Sequence, residues 1–339
     1  MLQCIDKKSP IAFVMPHWCG LGGFSETHLD EAVKSILRQT DTNWFLVIID
    51  DCSPEQKVKE RLQKVKSMAA HNIHLLFNET NLGPGMSRNR GIEYAAALGA
   101  AAVIFNDADD VSNPHRLNVV REIFSTDPEA CVIYSTFRVI NENSFFVREK
   151  NIAPTILEIL NGHQSNIVNG YDAWIPIATL KNYTTLTSST AVKIELALHQ
   201  PFYTSRVSED MHTWLRYGAC EGKFVYNPTI PSLYRIWNNT ESSGRERNPD
   251  FYEIKAETDT HGFFSAMEIA DARKELDVIF KTELTIKFYI KLAESLLYGF
   301  QKILAQDTLK KANDISPQLT KQYISQYGPE VQKLLQAII

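Results

Sequence analysis

The 339-residue chain lacks several features that would announce a class at once. It has no CxxC pair. Its five cysteines (Cys4, Cys19, Cys52, Cys131 and Cys220) are scattered and odd in number, which argues against a disulfide framework and fits reduced thiols. The longest apolar stretch, residues 94–105, is well short of the ~20 residues that a bilayer-spanning helix needs. The opening MLQCIDKKSPIAFVMP is broken by lysines and holds too short an apolar run for a signal peptide. Positive charge is not in excess either: 35 Lys+Arg against 40 Asp+Glu leave a net charge of -5, so no global basic field exists to hold a nucleic-acid backbone. Internal repeats and low-complexity segments are absent. With 44% hydrophobic and 22% charged residues, general disorder is excluded. A soluble cytoplasmic protein is the expectation.

The first 140 residues alternate between two periods. Short apolar runs at 11–15, 44–49, 74–77, 102–105 and 131–139 read as buried strands. Between the first two, Leu29, Ala32, Val33, Ile36 and Leu37 recur on one face of a helix. Ser53-Pro54-Glu55-Gln56 predicts a helix start, with Ser53 as N-cap and Pro54 in the first turn. Residues 85–97 read as another helix, and Asn113-Pro114 as the cap of a further one. This alternation predicts a mostly parallel sheet covered on both faces, with ligands gathering at the carboxyl ends of the strands. Residues 143–190 read as loops with short strands, 208–217 as a helix, 224–237 as two short strands and 238–250 as a polar loop. From about Phe251 the pattern is helical. Leu284, Phe288, Leu292, Leu296, Phe300 and Ile303 form one apolar stripe, and Ser316-Pro317 opens a last helix carrying Val331, Leu334, Leu335 and Ile338 on one face.

Four polar segments carry possible chemistry. Asn106-Asp107-Ala108-Asp109-Asp110 places three carboxylates in four residues at a strand end, which repel unless a cation or hydrogen-bond donors compensate. Oxygen-rich sites of this kind suit Mg²⁺ or Mn²⁺. In an extended chain, Asp107 and Asp109 would share one side. The bland reading is an acidic turn capping the helix at Pro114. Asp50-Asp51, at another strand end, either opens a helix that favours negative charge or accepts a hydrogen bond from a nucleotide. The Gly-rich run from Asn81 to Gly91 enters a helix with Arg88 and Arg90 in its first turns, and suits phosphate or nucleotide oxygens as well as it suits an ordinary helix start. Glu209 and Asp210 open a helix, as capping acids or as a base projecting into a site. Trp174, Tyr171 and Trp214 are candidates for stacking on sugar faces, although such aromatics more often fill cores.

Taken together, these segments resemble the inverting family 2 glycosyltransferases of the GT-A fold. The resemblance covers roughly residues 9–240 and runs in order through 11–16, 30–40, 47–54 (VIIDDCSP), 81–91 and 105–117 (FNDADDVSNPHRL), then 209–216 and 233–242. It implies an α/β, Rossmann-like catalytic domain over 1–250, followed by a C-terminal α-helical extension over 251–339. It implies that Asp51 binds the base of a nucleoside diphosphate sugar, usually uracil, with Pro16 lining the same pocket. Asn81, Gly83, Arg88 and Asn89 would serve donor binding. Asp107 would face the ribose and sugar and share with Asp109 a Mn²⁺ or Mg²⁺ ion, and Arg235 would sit near the diphosphate. Asp210 would be the catalytic base, with Glu209 the second candidate.

Trp237 departs from the pattern, standing where many family members carry a metal-binding His. The loop after the first strand, 17–24, is longer than usual. The processive signature QxxRW is absent, which implies single-sugar addition of a hexose or N-acetylhexosamine. Arg245 and Arg247 are candidates to close over the diphosphate. The acceptor stays open among glycan, glycolipid, peptide and small molecule; peripheral membrane contact and self-association through the helical tail are also open. Competing readings are a sugar-phosphate nucleotidyltransferase, whose expected Gly-rich loop is replaced here by Pro16-His17-Trp18, a catalytically degenerate scaffold, and a nicotinamide cofactor enzyme suggested by Gly20-Leu21-Gly22 but lacking the third glycine at Ser25.

Overall fold

The computed structural model describes residues 3–20, 26–180, 185–237 and 248–336. The expected loop at 238–250 lies mostly outside them, with Arg245 and Arg247; so do residues 21–25 and Ile338. The first half alternates strands and helices: β1 (Ile11–His17), α1 (Glu26–Leu37), β2 (Trp44–Asp50), α2 (Gln56–Ser67), β3 (Ile73–Phe77), α3 (Pro84–Ala97), β4 (Ala102–Phe105) and α4 (Arg116–Thr126). Then come β5 (Ala130–Tyr134), β6 (Phe137–Ile140), α5 (Pro154–Ser165), α6 (Trp174–Thr179), β7 (Thr190–Lys193), α7 (Ile194–His199), α8 (Glu209–Ala219), β8 (Lys223–Tyr226) and β9 (Ser232–Arg235). Helices α9 (Phe251–Lys274), α10 (Val278–Tyr298), α11 (Lys302–Ile315), α12 (Pro317–Ile324) and α13 (Pro329–Gln336) complete the described chain.

Seven strands form one sheet in the order β3-β2-β1-β4-β7-β5-β8. β1, β2, β3 and β4 run parallel, so His17, Asp50, Phe77 and Phe105 all end at one edge. β7 is antiparallel to both of its neighbours. The central strands are buried on both faces, as crossover helices require. Alternate residues separate cleanly: Ala12, Val14, Val47, Ile49, Val103 and Phe105 pack toward α3 and α8, whereas Ile11, Phe13, Leu46, Ile48, Ala102 and Ile104 pack toward α1, α2 and α4.

Four expectations change. The run 131–139 is two strands, because β5 joins the large sheet while β6 leaves it to pair in parallel with β9. Residues 143–190 contain helices α5 and α6 rather than loops and short strands alone. Ser53 does not cap α2, whose N-cap is Glu55; the Ser53 hydroxyl donates to Asp50 instead. The apolar stripe of the helical region is buried from Leu284 to Leu296, but Phe300 and Ile303 are 93% and 76% exposed, because α10 ends at Tyr298 and the chain turns. The Ser316 cap is as expected, accepting from the Leu319 N–H. The segment it opens is divided into α12 and α13, and only Leu335 of the expected last face has a described, buried side chain.

The helical region shares its core with the sheet. Phe263 of α9 stacks on Phe288 of α10 with ring centroids 4.2 Å apart, and both join the cluster that holds Trp174 and Trp214. Among the described residues no helix is long and apolar enough to cross a membrane. Close approach of α8 to α6 depends on Gly218: a Cβ there would lie 2.4 Å from the Trp174 backbone nitrogen. Backbone cannot move aside as a side-chain tip can. Gly218→Ala is therefore expected to cost about 2–3 kcal/mol, read as a lower urea midpoint; an unchanged midpoint would show that α8 does not sit this close.

Candidate active site

The parallel strand ends present two acidic loops on one edge, after β2 and after β4, and hydrogen bonds hold each in shape. After β2, Asp50 is buried. One oxygen meets His17 Nδ1 at 3.0 Å and accepts the Ser53 hydroxyl at 2.6 Å; the other accepts the Ser53 N–H at 3.1 Å. Burial alone would raise its pKa, but the His17 bond and then those of Ser53 outweigh it and hold the carboxyl below its usual range. Asp51 reaches across to the loop after β3. Its Oδ1 accepts from Asn78 Nδ2 at 2.7 Å and the Leu82 N–H at 2.9 Å, and its Oδ2 accepts the Gly83 N–H at 2.8 Å. Gly83 has φ +86, which a residue with a side chain rarely adopts. Asn81 donates to the Asp51 carbonyl at 3.2 Å. Pro16 sits half-buried in β1 opposite Ile49, one residue before His17.

The loop after β4 is a turn, not the extended segment expected, closed by the Asp110 N–H on the Asp107 carbonyl. Asn106 ties it from within, donating to the carbonyls of Asp107 and Asp110 at 2.9 and 3.1 Å. Arg235 grips it from β9: its N–H meets Asp110 Oδ1 at 2.8 Å and its Nε meets the Asp109 carbonyl at 2.8 Å. The rest of that guanidinium goes to the Asn141 carbonyl, the Ser144 hydroxyl and the Glu31 carboxylate at 2.7–3.0 Å. The Arg235 side chain is fully buried, so a direct diphosphate contact would need these bonds to break. In this structure Arg235 clamps the acidic turn.

Asp107 and Asp109 remain half-open. Trp237 donates its indole N–H to Asp109 Oδ2 at 3.1 Å. Burial first, and then the charge of Asp107, push the pKa of Asp109 up; burial, Asp109 and Asp107 push Asp110 well up. Neighbouring like charges in a half-buried turn are relieved by a cation, which suits Asp107 and Asp109 to a divalent ion. Among the described residues no three His, Cys, Asp or Glu side chains form a metal-holding group, so an ion at this pair would complete its shell with phosphate oxygens and water.

Arg88, in α3 and 4% exposed, joins this turn to α8. One terminal nitrogen meets Asp107 Oδ1 at 2.8 Å and the other meets Glu209 Oε1 at 3.0 Å, with the Phe202 ring 5.4 Å from the guanidinium carbon. Gly85 permits the approach: a Cβ there would lie 3.0 Å from Glu209 Cγ. Burial and then the adjacent Asp210 push Glu209 up to about 7, against the pull of Arg88. Asp210 is half-buried, accepts the Met211 N–H at 2.7 Å and is raised chiefly by burial. Tyr234 of β9, beside Arg235, has a phenol that burial and then the charges of Asp110, Asp109, Asp107 and Asp210 hold above its usual range. Asn89, by contrast, bonds backbone rather than the acids. It exchanges two hydrogen bonds with the Phe202 backbone, at 2.7 and 2.9 Å, and fixes the segment leading to α8. Of the other aromatic candidates, Trp174 and Trp214 are core residues and Tyr171 is exposed beside Glu129.

Comparison with known proteins bears on the fold and on the family. Residues 24–182 match the model of glycosyl transferase family 2. An uncharacterized glycosyltransferase of Methanocaldococcus jannaschii is 30% identical over 124 residues, which span 37% of this chain and 41% of that protein. The Escherichia coli UDP-Glc:alpha-D-GlcNAc-diphosphoundecaprenol beta-1,3-glucosyltransferase WfgD is 26% identical over 144 residues, 42% of this chain and 51% of WfgD. The matched stretches thus span about half or less of these relatives. The crystal structure of Staphylococcus aureus TarS 1-349 in complex with UDP-GlcNAc aligns with a TM-score of 0.60 at 17% identity, covering 97% of this chain and 86% of that one. The fold is GT-A, with the C-terminal helices included in the alignment. Residues 24–182 thus carry a glycosyl transferase family 2 domain.

Glu209 generates a pH prediction. Its folded pKa of about 7 lies above the usual 4.5, so the folded state binds the extra proton between these values. Stability contributed at this position is therefore present at low pH and lost as pH rises from about 4.5 toward 7. Glu209→Gln should flatten that decline in a series of urea midpoints at pH 4.5–7.5. Parallel curves for the two proteins would mean that Glu209 titrates normally.

Proposed function

We propose that the protein transfers a single hexose or N-acetylhexosamine from a nucleoside diphosphate sugar, most simply a UDP-sugar, to an acceptor hydroxyl with inversion at the anomeric carbon. The observation that carries this reading is the buried Arg88 bridge between Asp107 and Glu209, which links the acidic turn to the start of α8. Asp210 follows Glu209 directly and takes the role of base. A carboxylate whose pKa is raised by burial is a stronger proton acceptor than one in water. It would accept the hydroxyl proton as the acceptor oxygen bonds to the anomeric carbon, while the bond from that carbon to the diphosphate oxygen breaks and its electron pair leaves with the nucleoside diphosphate. The Met211 N–H bond fixes the Asp210 carboxylate for this task.

On the donor side, Asp51 would meet the nucleobase, with Pro16 beside it. Asn81 and Gly83 would shape the pocket through their bonds to Asp51, and Asn89 would act through the Phe202 backbone it holds. Asp109 and Asp107 would hold a divalent cation, Mn²⁺ or Mg²⁺, which supplies Lewis-acid neutralisation of diphosphate charge. Arg235 would serve by fixing the turn that carries Asp109. The catalytic domain is read as 1–250 and the helices of 251–339 as its extension. WfgD, by its name, takes glucose from UDP-Glc to alpha-D-GlcNAc-diphosphoundecaprenol, which supports a UDP-sugar donor and a glycan or glycolipid acceptor here.

A panel of UDP-Glc, UDP-GlcNAc, UDP-Gal and GDP-Man, with and without Mn²⁺ and with water standing in for the acceptor, tests the proposal through nucleotide release and thermal shift. Metal-dependent release with one or more donors is expected. Asp210→Asn should lower release at least a hundredfold while the donor-induced thermal shift survives. Asp109→Ala should abolish both the metal dependence and most of the thermal shift. Near-normal turnover by Asp210→Asn removes it as the base, and no donor-dependent shift with any of the four removes the donor assignment.

A further inference from the structure

We propose that Asp259, on the first C-terminal helix α9, is a positioning residue for the Asp210 base, acting through Ser208. The proposal rests on the reading of Asp210 given above. It also extends the functional machinery well past residues 24–182, the span of the family match.

Ser208 is the residue immediately before Glu209 and Asp210. It sits at φ 62 and ψ 21, in the left-handed region, where a residue with a side chain needs support from its surroundings. The support comes from α9. The Ser208 hydroxyl donates to Asp259 Oδ1 at 2.5 Å, and Asp259 is 3% exposed. The other oxygen of Asp259 is paired with Lys255, one turn earlier on the same helix. A hydrogen bond to a buried, ionised acceptor is among the stronger ones a hydroxyl can make.

Neighbouring contacts hold the same segment against the same helix. The hydroxyls of Ser205 and Thr258 lie 3.0 Å apart, and Ser205 also bonds the backbone of Val207 on both its N–H and its carbonyl. His212 Nε2 lies 2.8 Å from His261 Nδ1, with the two rings stacked. Gly262 lets the helices meet: a Cβ there would lie 2.9 Å from His212 Cα. Four residues within one turn and a half of α9 (Thr258, Asp259, His261 and Gly262) thus grip residues 205–212 from behind. Arg88 holds the same helix start through Glu209. With both sets of contacts in place, the direction in which Asp210 leaves the start of α8 is fixed. Pre-set geometry at a base is worth rate rather than ground-state affinity.

The test compares Asp259→Ala, Ser208→Gly, their double variant and Asp210→Asn in the full chain, with UDP-Glc and UDP-GlcNAc in turn, Mn²⁺ present and water as acceptor. Ser208→Gly removes the hydroxyl while easing the left-handed backbone, so it should fold well. Asp259→Ala and Ser208→Gly should each lower kcat about tenfold or more with donor KM within twofold of the parent, and the double variant should be no slower than the slower single, since both break one link. Asp259→Asn, which keeps an acceptor for the Ser208 hydroxyl, should recover part of the loss. Parental kcat in both Ser208→Gly and Asp259→Ala, with Asp210→Asn inactive, would overturn the positioning role and leave the base assignment standing. A loss in Asp259→Ala matched by a proportional rise in KM would overturn it too, as a general structural effect. If Asp259→Ala fails to fold, Ser208→Gly decides alone. Full turnover by Asp210→Asn would instead remove the reading on which the proposal stands.

Discussion

One buried cation organises the crevice. Arg88 is almost wholly out of water, and burial by itself would lower the pKa of its guanidinium. Asp107 first and Glu209 second more than offset that and raise its pKa. Each partner belongs to a different part of the chain, 19 and 121 residues away. Removing Arg88 would leave Glu209 buried without its cationic partner, a change that costs several kcal/mol in proteins generally. The bridge therefore fixes the distance between the acidic turn after β4 and the start of α8. A donor sugar and an attacking acceptor would have to meet across that distance.

Around this bridge the polar residues divide by what they face. Asp50, Asn89, Asn106 and Arg235 are buried, and their side chains bond the backbone or side chains of neighbouring segments. They hold loops still. Asp107, Asp109 and Asp210 stay half-open, and burial raises the pKa of the last two without neutralising partners strong enough to cancel it. Preorganised charge of this kind is what an electrostatic site needs, because the structure pays for the repulsion at folding rather than during the reaction. Trp237 fits the same logic. Its indole N–H steadies Asp109 from a position where a third metal ligand was the alternative.

Much of the fold was legible in the sequence because β1, β2 and β4 are short and apolar on both faces, and β2 and β4 run into acidic segments. The helices read over 85–97 and 208–217 fall within one or two residues of α3 and α8. What stayed hidden depends on partners distant in sequence. Nothing local shows that the chain leaves the main sheet at Ser135-Thr136, since residues 131–139 are uniformly apolar apart from Ser135, Thr136 and Arg138. Ser53 looked like a helix cap because capping boxes are local, yet Asp50 and the Cys19 N–H compete for its hydroxyl. Arg235 carried an expected phosphate role, but Glu31, 204 residues away, together with the acidic turn, takes its donors. Asp259 lies in a helix whose sequence pattern suggested only packing. At the site itself, residue types and order were readable; which side chains face the crevice and which hold its walls was not.

The central claim is that loops from widely separated parts of the chain close around one nucleoside diphosphate and one divalent ion. Hydrogen–deuterium exchange of the full chain, with UDP or GDP plus Mn²⁺ and compared with Mn²⁺ alone, tests it most directly. The account predicts joint protection of residues 50–53, 81–88, 106–110 and 208–212, with α11 and α12 unchanged. Protection confined to one of these segments, or appearing only elsewhere in the chain, would contradict it.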